Sequence, residues 1–298
     1  MWKLLKDIII SFIMTVSAII PILVFVGIDN YDDLILKLRT SSYIVIIVIV
    51  CVIVFFILSL GGYFFNSHFI SNKSEKLHKL FHELRNDIMY NGYCYNDIKN
   101  TTTNISEFVH TLSKHKFNVC LKTFDFPEKK TYSKYEDISE LRLQTLARAG
   151  EDEVSRSNGD NQPNNHYIKD NTDFSSIIFK RDCNIFACSN LRMLLIESKI
   201  LSPMDEYQNS DRNYLKKYVT TIVIPIRIIK KKFSNFSKED KCVDYNDYLT
   251  IGFLCVDCKK PISKALKNEL TGYLMAIADT LFIPLYNYLN STTNKKNE

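Results

Sequence analysis

The chain has 298 residues, of which 46% are hydrophobic and 24% charged, and its Lys and Arg exceed its Asp and Glu by 38 to 33, a net charge of +5. This composition is typical of a folded protein rather than a disordered one. The basic residues form only short scattered runs such as Lys230-Lys231-Lys232, which are ordinary surface charge, so we predict no nucleic-acid partner.

Two apolar runs, residues 8–28 and 43–65, dominate the first part of the chain, and neither contains Asp, Glu, Lys, Arg or His. As helices, both are long enough to cross a hydrocarbon core of roughly 30 Å. A cleaved signal peptide is the weaker reading of the first run, because its small-residue triplet at 16–18 is followed by more apolar sequence. We therefore predict a two-span transmembrane hairpin over residues 1–66.

The charges that flank these runs predict the topology of the hairpin. Lys3 and Lys6 precede the first run, and Lys73, Lys76 and Lys79 follow the second. By the positive-inside rule both termini lie in the cytoplasm, and the protein is expected in the cell (inner) membrane, in contact with lipid. The runs contain no ionisable residue, which argues against a transporter built from these helices alone.

Residues 67–103 are predicted to form a connecting helical segment. An apolar stripe at helical spacing follows the second run and consists of Leu77, Leu80, Phe81, Leu84 and Ile88. A second stripe follows the break at Asn91-Gly92. Two interpretations are equally open: the stripes pack on the next domain, or they pair with a second copy in a homo-oligomer such as a dimer.

The sequence from residue 104 to 290 is predicted to be one α+β domain, followed by a polar tail, 291–298. Runs of β-branched and aromatic residues predict strands at 117–124, 218–229 and 248–257. Helical patterns lie at 175–178, 190–199 and 263–289, and residues 151–171, rich in Asn, Asp, Ser and Gly, are predicted to be a long loop.

The cysteines and histidines do not predict a metal site. Cys51 lies inside an apolar run, so the eight cysteines are not a disulfide framework. Cys255 and Cys258 have C-x-x-C spacing, but Cys255 falls within a predicted strand, and we interpret both as structural. His78 and His82 lack the acidic residue of a zinc-protease helix.

A series of short segments gives the chain a resemblance to bacterial GAF domains. In order they are Leu146-Ala-Arg-Ala, Asp170-Asn-Thr-Asp-Phe, Tyr207-Gln-Asn-Ser, Tyr218-Val-Thr-Thr-Ile-Val-Ile-Pro-Ile-Arg, Ile251-Gly-Phe-Leu-Cys-Val-Asp and Ala278-Asp-Thr-Leu. The resemblance implies a central antiparallel sheet with helices from both ends of the domain packed on one face. It also implies a small-ligand pocket on the other face, a sensory role, and dimerisation through the helices.

The sequence departs from the better-understood members of that family. It lacks the residue set that marks cyclic-nucleotide-binding GAF domains and the Asp-Ile-Pro segment of bilin-binding relatives, and His166 lies in the predicted loop, so no cofactor is expected. The candidate ligand-binding residues are Arg148, Asn171, Asp173, Phe174 and Arg227. Both arginines could bind an anionic ligand, but surface ion pairing is the favoured interpretation of each.

No catalytic motif accompanies these residues, so the protein is not expected to be an enzyme. Asn171 and Asp173 are interpreted as helix N-capping residues before Phe174 in preference to catalytic groups. The predicted function is a membrane-anchored cytosolic sensory or scaffold module that signals to a separate protein partner. The alternative is a two-helix membrane-disrupting effector of a bacterial anti-phage defence system, triggered through the GAF-like domain.

Overall fold

The structure is a computed structural model that describes residues 52, 54–56, 59–62, 74–82, 94–128, 130–150, 167–201, 207–211, 213–233 and 236–291. The predicted span 8–28 lies outside these residues, and 43–65 lies inside them only in part. The described residues of that second run are helical, and Val52, Val54, Phe56 and Leu60 are exposed, Phe56 by 63%, whereas Phe55 is half-buried. None of the helices in these ranges is of a length and hydrophobicity sufficient to cross a membrane.

The chain divides into two compact units, Met1–Ser74 and Glu75–Glu298. Seven strands form one sheet in the described part of the second unit: β1 Asn118–Asp125, β2 Thr131–Tyr132, β3 Arg142–Gly150, β4 Phe186–Cys188, β5 Thr220–Ile229, β6 Cys242–Tyr245 and β7 Tyr248–Cys258. The strands predicted at 117–124, 218–229 and 248–257 are confirmed as β1, β5 and β7.

Strand β7 is the centre of this sheet. It pairs along its whole length with β5, and it also pairs with β1 through residues 252–257 and with β6 through 248–250. Strand β3 extends the sheet beyond β1, and β4 extends it beyond β5. These pairs are antiparallel, whereas the short β2–β6 pair is parallel.

The helices of the described part of the domain are α1 Tyr95–Ser113, α2 Tyr135–Ser139, α3 Thr172–Phe179, α4 Leu191–Leu201, α5 Tyr214–Lys217 and α6 Lys264–Ser291. Helix α6 confirms the prediction for 263–289 and contains Pro284 in its interior. The domain boundary predicted at residue 104 falls inside α1, whose Ile98 and Ile105 are both fully buried.

One face of the sheet packs against α1 and α6, and we call this the first core. Alternate residues along the strands face this core, as the side-chain geometry of a strand requires. They include Val119, Leu121, Ile222, Ile224, Leu254 and Val256. Helix α6 contacts mainly β5, and α1 contacts β3 and β1. The structure therefore has the arrangement that the resemblance implies, with helices from both ends of the domain on one face of an α+β fold.

The opposite face is covered by α2, α3 and the turn at Ile168–Asp170, and we call this the second core. It is rich in aromatic rings: Phe253 contacts Phe124 and Phe174 with ring centroids 5.5 and 4.8 Å apart. The end of the predicted loop 151–171 belongs to this core. Ile168 is fully buried and Tyr167 bridges to Arg142, whereas residues 151–166 lie outside the described residues.

Residues 74–82 form a helix that packs on the first core. Leu80 is only 4% exposed, Leu77 and Phe81 pack beside it, and Lys76 Nζ donates a hydrogen bond to Thr111 Oγ1 of α1 at 3.1 Å. Of the two interpretations of the apolar stripe, packing on the following domain therefore holds for these residues. Leu84 and Ile88 lie outside the described residues.

Candidate functional site

Charged and polar side chains, most of them buried and two half-buried, lie on the second-core face of the sheet and at the N-terminal end of α3. We call this set the buried polar cluster; its members are Lys122, Arg148, Asn171, Asp173, Tyr207, Asn209, Tyr218 and Asp257. Asp173 is 3% exposed, and Arg148 and Asp257 are each 7% exposed. Burying charged groups is costly unless neighbouring groups compensate, so this cluster is a candidate functional site.

The sheet contributes three charged residues to the cluster from neighbouring strands. Cys120 of β1 lies directly opposite Arg148 of β3 on one side and Cys255 of β7 on the other. Directly opposed residues share a face of a sheet, and so do residues two apart along a strand. Because Cys120 and Cys255 belong to the second core, Arg148, Lys122 and Asp257 all lie on that face of the sheet. There Lys122 Nζ donates a hydrogen bond to Thr145 Oγ1 at 3.2 Å.

Asn171, at the N-cap position of α3, holds a neighbouring loop instead of capping the helix. Its side chain makes no capping hydrogen bond; its Oδ1 accepts from the Ser210 backbone N–H at 3.2 Å and from Ser210 Oγ at 3.0 Å. Thr172 Oγ1 accepts from the Gln208 N–H at 2.7 Å. The expectation that Asn171 caps the helix is therefore wrong, because this loop takes its side-chain oxygen.

Two tyrosines complete the cluster, and neither was predicted from the sequence as a site residue. Tyr207 Oη donates to Asp173 Oδ2 at 3.5 Å. Asn209 Nδ2 donates to both tyrosine oxygens, at 3.3 Å to Tyr207 and 2.8 Å to Tyr218. The segment Tyr207-Gln-Asn, an aromatic residue followed by two amide side chains, could have marked a candidate site in the sequence. Its position beside α3 becomes known only from the fold.

The Asp173 carboxyl is perturbed by its burial and by the neighbouring Asp257. Burial, and then the negative charge of Asp257, raise the pKa of Asp173 to about 7, while Lys122 opposes that shift. Burial raises the pKa of both Tyr207 and Tyr218, so their hydroxyls stay protonated. Near neutral pH the Asp173 carboxyl is present in both forms, and it can either donate or accept a hydrogen bond.

Phe174 and Arg227, the other two predicted site residues, do not belong to the buried polar cluster. Phe174, 7% exposed, anchors α3 in the second core through its contact with Phe253. Arg227 lies on β5 beyond the residues that pair with β4, where its guanidinium stacks 3.9 Å from the centroid of the Tyr248 ring. Asn171 and Asp173 thus lie together at the start of α3 with Phe174 beside them. Arg148 lies on the face of the sheet that α3 covers, and Arg227 lies at a different site.

The cysteines of the C-x-x-C pair face different cores. Cys258 packs in the first core and Cys255 in the second, as expected for residues three apart in a strand. Cys255 lies directly opposite Cys120 of β1, and it therefore faces Cys120 and not Cys258. Among the described residues no group of three or more His, Cys, Asp or Glu is arranged to hold a metal ion.

No family model matches the sequence, and no curated protein matches it either. Similar solved structures include the GAF domain of a phosphoenolpyruvate-protein phosphotransferase from Coxiella burnetii, at 10% identity and a TM-score of 0.40, covering 75% of this chain and 97% of that one. The corresponding GAF domain from Acinetobacter has 10% identity and a TM-score of 0.36, covering 70% and 90%. A phycoerythrobilin-bound GAF domain from a cyanobacterial phytochrome has 11% identity and a TM-score of 0.38, covering 72% and 95%.

Proposed function

We propose that the protein is a membrane-anchored sensory module of GAF-like architecture that binds a small molecule at the buried polar cluster. One observation carries this proposal: Asp173 and Asp257 are both buried, and burial, followed by the charge of Asp257, raises the pKa of Asp173 to about 7. Two neighbouring buried carboxyls are unfavourable for folding, and perturbed groups of this kind concentrate at functional sites. A ligand that donates hydrogen bonds to them would relieve that cost.

The proposed role is binding rather than catalysis. The ligand would meet tyrosine hydroxyls and a carboxyl that is held by neighbouring side chains, with α3 and residues 207–211 on one side and the sheet on the other. Such a mixed polar and aromatic set of side chains suits recognition of a polar organic molecule. The cluster contains no arrangement of nucleophile and base on which we would base a reaction.

Replacing Tyr207 with Phe tests this site. The substitution deletes the hydroxyl that donates to Asp173 and leaves the ring that stacks on Phe186 at 5.5 Å. We expect the full-length protein, purified from its original host and analysed by native mass spectrometry, to carry a small molecule that the variant loses or holds at least about tenfold more weakly, since a lost hydrogen bond to a charged group costs about 1.5–3 kcal/mol.

The matched control for that experiment is Tyr135→Phe, because Tyr135 is 51% exposed on α2 and lies outside the cluster. This control should retain the bound molecule. A bound molecule that persists unchanged in the Tyr207 variant would place its site elsewhere. A wild-type protein without any bound small molecule, even from its original host, would count against the sensory proposal itself.

The membrane anchor is also a proposal, supported by the two charge-free runs 8–28 and 43–65 and their basic flanks. Reporter fusions after Asp33 and after Glu298 should place the first outside the cell membrane and the second inside. A C-terminal reporter found outside would contradict the cytosolic location of the sensory domain. Flotation of the full-length protein with membranes gives an independent measurement of the anchor.

The output of the module separates the sensory proposal from the alternative of a membrane-disrupting effector. In the sensory case the domain signals to a separate protein partner, as a monomer or a homo-oligomer. In the effector case overexpression would permeabilise the host membrane, which a membrane-impermeant dye detects. This alternative stays a prediction from the sequence architecture.

A further inference from the structure

A groove of about 420 Å³ lies on the other side of the domain from the buried polar cluster, between β5 and α6. Its volume is in the range of small-molecule sites. Its apolar surface comes from residues of both elements: Ile224, Ile228, Met275, Phe282 and Ile283. Met275 is 41% exposed and Ile283 is 40% exposed. Apolar surface is therefore open to solvent along the groove.

The charged groups of the groove are unequal in sign. Arg227 and Lys232 line it together with a single carboxylate, Asp279. Burial lowers the pKa of Arg227 and raises the pKa of Asp279, and the charge of each opposes the shift of the other. They form no ion pair within 4.0 Å among the described residues. The groove therefore carries an excess of positive charge beside its apolar surface.

Arg227 is held in a fixed orientation with part of its hydrogen-bonding capacity unused. Its guanidinium lies over the Tyr248 ring, and Nη2 donates to Asn184 Oδ1 at 2.8 Å. Within the described part of the chain, Nε and Nη1 make no hydrogen bond. Stacking on an aromatic ring pre-organises the guanidinium, and its planar edge matches a carboxylate or phosphate.

We propose that this groove is a second ligand site, which binds a small organic anion with an apolar body. The carboxylate or phosphate of the ligand lies at the open edge of Arg227, and its apolar part covers the side chains of Met275 and Ile283. Asp279 opposes the anion and so weakens its binding. This site is separate from the buried polar cluster, and either proposal can fail without the other.

The test measures binding of 3-phenylpropanoate, phenyl phosphate and the neutral 3-phenyl-1-propanol to the full-length protein by saturation-transfer NMR. We expect at least one anion to bind about tenfold more tightly than the alcohol. Arg227→Gln should weaken that binding about tenfold or more, because it removes a charged donor. Asp279→Asn should strengthen it several-fold, because it removes the like charge.

Two controls make the result specific. Arg192→Gln removes an exposed arginine of α4 that lies outside the groove, and it should leave binding unchanged. Unchanged thermal unfolding of the Arg227 variant shows that the fold survives. The proposal fails if neither anion binds the wild type, if the alcohol binds equally well, if Arg192→Gln weakens binding as much as Arg227→Gln, or if Asp279→Asn weakens it.

Discussion

Replacing Asp173 with Asn will remove most of the pH dependence of the free energy of unfolding between about pH 4 and pH 7. Burial raises the pKa of this carboxyl from its ordinary value of 3.8 to about 7. Between these values the folded state binds more protons than the unfolded state, so the free energy of unfolding falls as pH rises. The full effect is about 4 kcal/mol, since each pKa unit corresponds to about 1.4 kcal/mol.

The measurement is urea unfolding of both proteins at a series of pH values, followed by far-UV circular dichroism. Wild type should be most stable near pH 4 and lose stability as pH approaches 7, whereas the Asn variant should change little over that range. Asp137→Asn, on the exposed surface of α2, is the control and should follow the wild type. An Asn variant with the wild-type slope would mean that Asp173 is not buried as described.

Replacing Gly252 with Ala will destabilise the domain by about 3 kcal/mol or more. Gly252 lies in β7 between Thr123 of β1 and Ile226 of β5. A Cβ atom there would lie 2.2 Å from the carbonyl oxygen of Lys122, which belongs to the backbone of β1 and has no flexible side chain to move aside. The two central strands must separate to admit a methyl group.

The matched control is Gly272→Ala in α6, where an added Cβ meets no atom within 4 Å. Because alanine loses less backbone entropy than glycine in a helix, this second variant should gain about 0.5–1 kcal/mol. If the same substitution lowers the free energy of unfolding at Gly252 and raises it at Gly272, the loss at Gly252 comes from the close approach of β1 and β7. Equal effects in urea unfolding would contradict that packing.

The parts of the fold that the sequence predicted are those with strong local patterns. Strands β5 and β7 are nearly continuous in β-branched and aromatic residues, and α6 has a long apolar stripe. Strand β3 was missed because Arg142-Leu-Gln-Thr-Leu-Ala-Arg-Ala-Gly has few strand-forming residues and is fixed by pairing with β1. Strands β2, β4 and β6, of two to four residues, give no periodicity to detect.

The candidate site was predicted only in part, through Arg148, Asn171 and Asp173. Asn171 and Asp173 were selected because they lie in the segment Asp170-Asn-Thr-Asp-Phe, which resembles GAF domains. Tyr207 and Tyr218 were not, because their contacts with Asp173 and Asn209 exist only once residues 207–211 fold against α3. Arg227 was grouped with the others because chemical character alone cannot tell which part of a sheet an arginine occupies.

Strand β1 gives the domain a direct mechanical link between its two layers. Cys120 lies in the second core beside the candidate ligand site, while its neighbours Val119 and Leu121 lie in the first core, which also buries Leu80. Close-packed interiors transmit small displacements because they contain little empty space. A ligand that shifts β1 by a fraction of an ångström would therefore also displace the first-core side chains around Leu80, on which the 74–82 helix packs.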